Sequence, residues 1–307
     1  MTQEQITSTE AQPPLRAYLV IAMGVLAVSL AAIFIRLAQD EGIPSLVIAA
    51  GRMTVATLLL TPLTLRRYSA EIRSLGRPEL LLAGISGVFL AAHFATWILS
   101  LEYTSVLISV VLVNSHPIWV ALLEIFFLRA RLARLVVIGL VIGILGSIIV
   151  AVPSGGVVAL GDNPLLGIVL AITGAITVAV YFVIGRKLRG KLSLLPYIWL
   201  VYGCSAIVLL LVVALMRIPV TGYSVQGYIW IVAMALVPQL LGHSSFNYVL
   251  KYFPATYVGI AVQLEPVFSA IIAFFLFSES PLPLQIVGSA TILAGVVLAS
   301  LGQSQKS

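Results

Sequence analysis

Ten apolar runs, each close to the roughly 20 residues that a helix needs to cross a bilayer, fill almost the whole chain. They fall at about 17 to 35, 43 to 65, 79 to 101, 103 to 128, 135 to 152, 164 to 185, 193 to 216, 226 to 249, 254 to 277 and 281 to 301. Only short connections lie between them. A chain of this kind satisfies its backbone inside lipid by forming helices, because no water is there to take up unpaired N–H and C=O groups. Composition agrees: 61% of residues are hydrophobic, 9% are charged and the mean hydropathy is +1.13. That leaves too little polar surface for a water-soluble globule of 307 residues.

The head MTQEQITSTEAQPP lacks the basic region and small-residue cleavage site of a signal peptide, so the first run is expected to stay as a helix. Residues 1–16 and 302–307 read as cytoplasmic tails flanking two halves, 17–152 and 164–301. The single cysteine, Cys204, excludes an intrachain disulfide and any site built from several cysteines. A net charge of +6 suggests a nucleic-acid partner until the positions are read. Fourteen Lys and Arg residues fall on one side of the predicted spans: Arg16, Arg66, Arg67, Arg73, Arg77, Arg129, Arg131, Arg134, Arg186, Lys187, Arg189, Lys191, Lys251 and Lys306. Two, Arg36 and Arg217, fall on the other, and Arg52 lies inside a span. The bias is a topology signal that places both termini in the cytoplasm, and no nucleic-acid partner is expected.

The stretch from Trp97 to Gly146 repeats without a gap from Phe246 to Gly295. The shift superposes Tyr103 on Tyr252, Pro117 on Pro266, Gly139 on Gly288 and Gly146 on Gly295, with Trp97/Phe246 and Trp119/Phe268 in step. Matches of Leu, Val and Ala carry little weight in an apolar chain; the proline, the glycines and the unbroken register carry it. With five helices per half, an odd number, the second half enters the membrane from the opposite face. The loop charges follow. Arg129, Arg131 and Arg134 have the uncharged counterparts Ser278, Ser280 and Pro283, and Lys251 stands opposite Glu102. The expected fold is an all-α integral membrane protein, ten transmembrane helices arranged as two inverted five-helix repeats around a central cavity. Two copies of one unit related in this way can exchange conformations and open a central site to either face.

An ionised side chain at mid-bilayer costs at least about 2.5 kcal/mol on insertion scales, so each one calls for a partner or a cavity. Arg52 is central in the second span and Glu265 in the ninth, immediately before Pro266; a direct ion pair and a cavity lining are both open readings. His116 holds the repeat position of Glu265 and also precedes a proline, and Asn114 and Gln263 are paired two residues earlier. Proline removes one backbone hydrogen bond and frees a carbonyl a turn back, so polar backbone is expected at both places. His93 and Trp97, four apart, share a helix face and offer either packing or an aromatic wall near the outer mouth; His243 and Asn247 have the same spacing. Glu124, near Arg129 and Arg131, reads as an interfacial group. The candidate cavity set is therefore Arg52, His93, Trp97, Asn114, His116, Trp119, Gln263 and Glu265.

These residues resemble the drug/metabolite transporter superfamily, in particular its EamA-type ten-helix permeases. The resemblance rests on Pro44 and Arg52, on the run from Tyr103 to Leu128 and its second copy from Tyr252 to Glu279, and on the glycines of the fifth and tenth spans. Its usual closing glutamate is present as Glu279 in the second copy, while the first has Ala130 between arginines. The resemblance implies two five-helix bundles with the fifth and tenth helices at the back. It also implies secondary transport of small organic solutes, often outward, with amino acids and related metabolites among common cargoes.

A membrane enzyme needs a paired acid and base, a histidine cluster or a phosphate-binding loop, and the sequence shows none of these motifs. A channel or scramblase needs a polar stripe or an oligomeric ring, whereas the polar residues here are isolated. The expectation is a permease of the plasma (inner) membrane for a small polar metabolite, with importer or facilitator as the alternative. Arg52 suits a carboxylate, and His116 or Glu265 a coupling proton. Lipid is the surrounding partner, the assembly a monomer or homodimer, and neither cofactor nor metal is expected.

Overall fold

The computed structural model describes residues 13–104, 106–151, 163–268, 271–272 and 283–304. Expectations for Glu279, Ser278, Ser280 and Lys306 lie outside these residues. The described chain is helical throughout, without strands. In chain order the spans are α1 (Leu15–Asp40), α2 (Ser45–Arg73), α3 (Arg77–Tyr103), α4 (Val106–Val113 and His116–Leu128), α5 (Arg134–Ala151), α6 (Pro164–Arg189), α7 (Leu194–Leu215), α8 (Val225–Val249), α9 (from Ala255–Val262 onward) and α10 (Pro283–Ser304). Eight of them are long and apolar enough to cross a membrane, and α5 is a shorter apolar helix. The described part of α9 covers only the first half of the expected span, so the count of ten rests on less than ten complete helices. In α2 the helix runs to Arg73, well past the apolar run that ends near 65, which lifts Arg66, Arg67 and Arg73 out on a helical extension.

The helices pair across the two halves in a regular way. α1 lies against α8 and α3 against α6, while α2 meets α7, α4 meets α9 and α5 meets α10. Exchanging each helix for its counterpart five places on returns the same set of pairs, as a two-fold axis requires. The α5/α10 seam fixes the direction of that axis. A methyl group at Gly139 would fall 2.5 Å from the carbonyl of Gly295, and one at Gly146 would fall 2.8 Å from that of Gly288. Contact positions ascend in α5 as they descend in α10, so these equivalent helices run antiparallel. Equivalent helices are antiparallel only when the axis lies in the membrane plane, and the repeat is inverted.

Breaks in the helices follow their sequence causes. In α4 the turn at Asn114 and Ser115 separates Val113 from His116, and in α9 the turn at Gln263 and Leu264 separates Val262 from Glu265. Both turns sit just before the repeat-related Pro117 and Pro266, whose missing N–H groups cannot close the preceding ladder. α1 breaks at Ser29, whose hydroxyl donates back to Val25 O (2.8 Å) and across to Glu265 O (3.2 Å). α8 widens into a π-helical stretch, Ala235–His243, around Pro238; a wider turn accommodates the proline ring without a full kink.

Carboxylates of one element close the helix ends of another. Glu124 is buried, 3% exposed, and accepts from Ala255 N (2.8 Å), Thr256 N (3.1 Å) and Thr256 Oγ1 (2.5 Å) at the start of α9. This corrects its reading as an interfacial group: the orphan amides of a helix N-terminus and the positive end of its dipole draw the carboxylate inward. Glu71 accepts from Ser193 N at 2.7 Å, just before α7, and Glu102 accepts from Ser45 at the start of α2. Between the halves, Ser224 Oγ donates to Glu41 Oε2 (2.6 Å) at one end of the molecule. At the other end, Lys191 pairs with Glu79 (3.1 Å).

Candidate functional site: the central cavity

The two breaks in α4 and α9 face a cavity in the middle of the bundle. Five of the expected residues line it, namely His93 and Trp97 from α3, Asn114 and His116 from α4, and Glu265 from α9. All five are buried. The cavity is small, about 40 Å³, with room for a few waters at the ~10–15 Å³ each requires. A metabolite fits only after the lining moves.

His93 and Trp97 do share a face, and their rings stack at 5.8 Å with 14° between planes. Trp97 is only 5% exposed, which places the pair inside the cavity wall. His93 Nδ1 donates to Gly174 O at 2.9 Å, and His116 Nδ1 to Val113 O at 3.1 Å. A carbonyl oxygen can only accept, so Nδ1 carries the hydrogen in both rings. In the neutral rings Nε2 is then an acceptor, and that of His116 is buried with no partner. Trp97 Nε1 is likewise a buried donor without a partner, while the Asn114 side chain is directed at the Glu265 carboxyl group.

The other three expected residues stand elsewhere. Arg52 is fully buried, but its guanidinium lies over the Phe94 ring at 4.0 Å from the centroid, and Nε donates to Gln239 Oε1 at 2.7 Å. Its two terminal nitrogens have no hydrogen-bond partner. It makes no N–O contact within 4.0 Å with Glu265, since among the described residues the ion pair within that distance is Lys191–Glu79, so the direct-pair reading is not realised. Gln263 turns toward α5, where a methyl group at Gly143 would lie 2.3 Å from its Oε1. Trp119 is half-buried and packs on the hydrophobic core.

Three further histidine or aromatic residues of the lining stand outside the expected set. His243 lines the cavity, so all three histidines of the chain meet there from three helices; its ring contacts Phe246 at 5.8 Å and lies 6.3 Å from that of His93. Phe246 is the repeat mate of Trp97, and carrying Trp97 across the repeat finds it. Phe182, edge-on to His116 at 5.7 Å, has no such signal in a chain this apolar. Among the described residues no group of three or more His, Cys, Asp or Glu side chains is placed to hold a metal ion. Below the cavity, Asn247 Nδ2 reaches Tyr181 and Tyr202 hydroxyls (2.5 and 3.2 Å), and its carbonyl accepts from Arg189 Nε (2.9 Å).

Comparison with known proteins bears on this arrangement. The model of the EamA-like transporter family matches twice, over residues 15–152 and 165–301. The chain belongs to the EamA-like transporter family. Relatives include two uncharacterized transporters of Archaeoglobus fulgidus. One is 24% identical over 74% of this chain and 79% of its own, the other 26% identical over 81% and 86%. The uncharacterized transporter YyaM of Bacillus subtilis is 26% identical over 71% of each chain. A crystal structure 18% identical to this chain shares its fold, with a TM-score of 0.77 over 96% of this chain and 100% of that one. The EamA-like protein is thus a multi-pass membrane transporter and not an enzyme.

Proposed function

We propose that this transporter moves a small polar organic metabolite, such as an amino acid, across the plasma membrane by alternating access and in the outward direction. The observation that carries the reading is the cavity itself, set where α4 and α9 break and lined by residues of both inverted halves. Half-helix breaks at a repeat interface place polar backbone and side chains where a solute can replace water. The Glu41–Ser224 contact at one end and the Glu79–Lys191 and Glu71–Ser193 contacts at the other join the halves, and alternate release of the two ends is the proposed motion. Charge bias supports cytoplasmic termini. Glu265 is the proposed site of a coupling proton, with His116 beside the same cavity.

The test compares culture media from cells overexpressing the parent and Glu265→Gln at equal membrane abundance, by untargeted metabolite profiling. One class of amine or amino-acid metabolite enriched at least threefold with the parent alone is the expected result. Depletion of that class with the parent contradicts outward transport, and identical media contradict export through a Glu265-dependent cavity.

A further inference from the structure

We infer that the central cavity recognises its cargo by a cationic amine head, held by Glu265 and histidine acceptors and walled by aromatic rings; this rests on the transport reading above and names its substrate class. Among the described residues the lining contains one acidic side chain, Glu265, and no Lys or Arg. Arg52, the side chain that would favour an anion, stands outside the lining with its guanidinium over Phe94 and its Nε on Gln239; its charge reaches Glu265 only through space, without a hydrogen bond.

The hydrogen-bonding character of the lining has the same sign. His93 and His116 each spend Nδ1–H on a helix carbonyl, at 2.9 and 3.1 Å, and keep Nε2 as an acceptor. A primary ammonium has three donors and no acceptor, so two imidazole lone pairs and a carboxylate complement it, whereas a carboxylate ligand meets repulsion from the same set. Trp97, Phe182 and Phe246 add ring faces to the lining, and aromatic faces attract cations. The unpartnered donor Trp97 Nε1 suits a hydroxyl or carbonyl elsewhere on the cargo without demanding a negative charge.

The test uses detergent-purified full-length protein and two probes with the same ring and opposite heads, 2-phenylethylammonium and 3-phenylpropionate. Binding is read as the rise in melting temperature over a concentration series. The ammonium is expected to bind the parent at least tenfold more tightly than the carboxylate, and to lose at least tenfold in Glu265→Gln. Equal or tighter binding of the carboxylate overturns the inference, as does ammonium binding unchanged in the variant, or no response to either probe at 10 mM (about 10 mM being far above the ~1 mM dissociation constant of a weak site). The probe pair on the parent needs no variant to fold. Because binding is read without transport, a protein that binds the ammonium and exports nothing sinks the export reading alone, and one that exports a metabolite yet prefers the carboxylate sinks this inference alone.

Discussion

Replacing Glu124 by alanine is expected to lower the unfolding free energy by several kcal/mol, since each buried donor left unsatisfied costs about 1–3 kcal/mol. The carboxylate holds two backbone amides and a hydroxyl at the start of α9, and alanine leaves all three without an acceptor in a place that water does not reach. Each hydrogen bond to a charged group contributes about 1.5–3 kcal/mol, and an orphaned buried donor carries its full desolvation cost. Glu124→Gln keeps one acceptor and is expected to lose about half as much. Equilibrium unfolding in mixed micelles measures the difference. Glu79→Ala is the contrast: its Lys191 partner has a side chain 65% exposed, and a pair of that kind contributes about 0–1 kcal/mol. Similar losses for Glu124→Ala and Glu79→Ala contradict the buried cap.

The second large effect is expected at the α5/α10 seam. A methyl group at Gly139 meets the Gly295 carbonyl at 2.5 Å, and one at Gly295 meets the Gly139 carbonyl at 2.7 Å. The opposing atoms are backbone, so neither can swing aside, and the helices have to separate. Gly139→Ala and Gly295→Ala are each expected to cost about 1–3 kcal/mol, the usual range for overpacking, and Gly139→Val more. The two-fold relation carries Gly139 onto Gly288 and Gly295 onto Gly146, so Gly288→Ala, whose methyl group would meet the Gly146 carbonyl at 2.8 Å, is expected to cost about as much as Gly139→Ala. Gly84→Ala, with nothing within 4 Å of the added methyl, is expected to be neutral or stabilising, since alanine favours helix over glycine by about 1 kcal/mol. Clearly unequal losses at 139 and 288 contradict the symmetry, and a loss at 84 contradicts the packing assignment.

Most of the fold was legible because lipid leaves so few options: apolar runs of bilayer length mark spans, and an odd number of helices per repeat inverts the copy. The two helix breaks were legible for a local reason, since Pro117 and Pro266 remove hydrogen bonds wherever they stand. The π-helical stretch was not. Pro238 predicts some disturbance of α8, but whether a helix kinks, breaks or widens depends on what packs against it, here α1, where Gly242 meets Val28. Site residues divide along the same line. His116 and Glu265 were found from their places beside prolines, and His93 and Trp97 from helical spacing. Arg52 was correctly seen as buried, yet its direction was set by Phe94 and Gln239, residues 42 and 187 positions away, and no local pattern encodes that. Gln263 shows the limit of repeat reasoning. Its mate Asn114 lines the cavity, while the longer Gln263 side chain finds space over Gly143 instead.

The central claim is that one cavity is exposed to the two faces of the membrane in turn. Ala31, a small residue in the cavity lining, replaced by cysteine in a Cys204→Ser background reports this through a membrane-impermeant thiol reagent applied to right-side-out and to inverted vesicles. A second sample carries Glu41→Cys and Ser224→Cys, joined by a short bifunctional crosslinker before Ala31→Cys is unmasked, so that the end closed by the Glu41–Ser224 contact stays shut. Without the crosslink, labelling is predicted from both faces; with it, labelling from the Glu41 side is lost while labelling from the opposite side persists or quickens. Loss from both sides on crosslinking, or no labelling from either face without it, contradicts alternating access through this cavity.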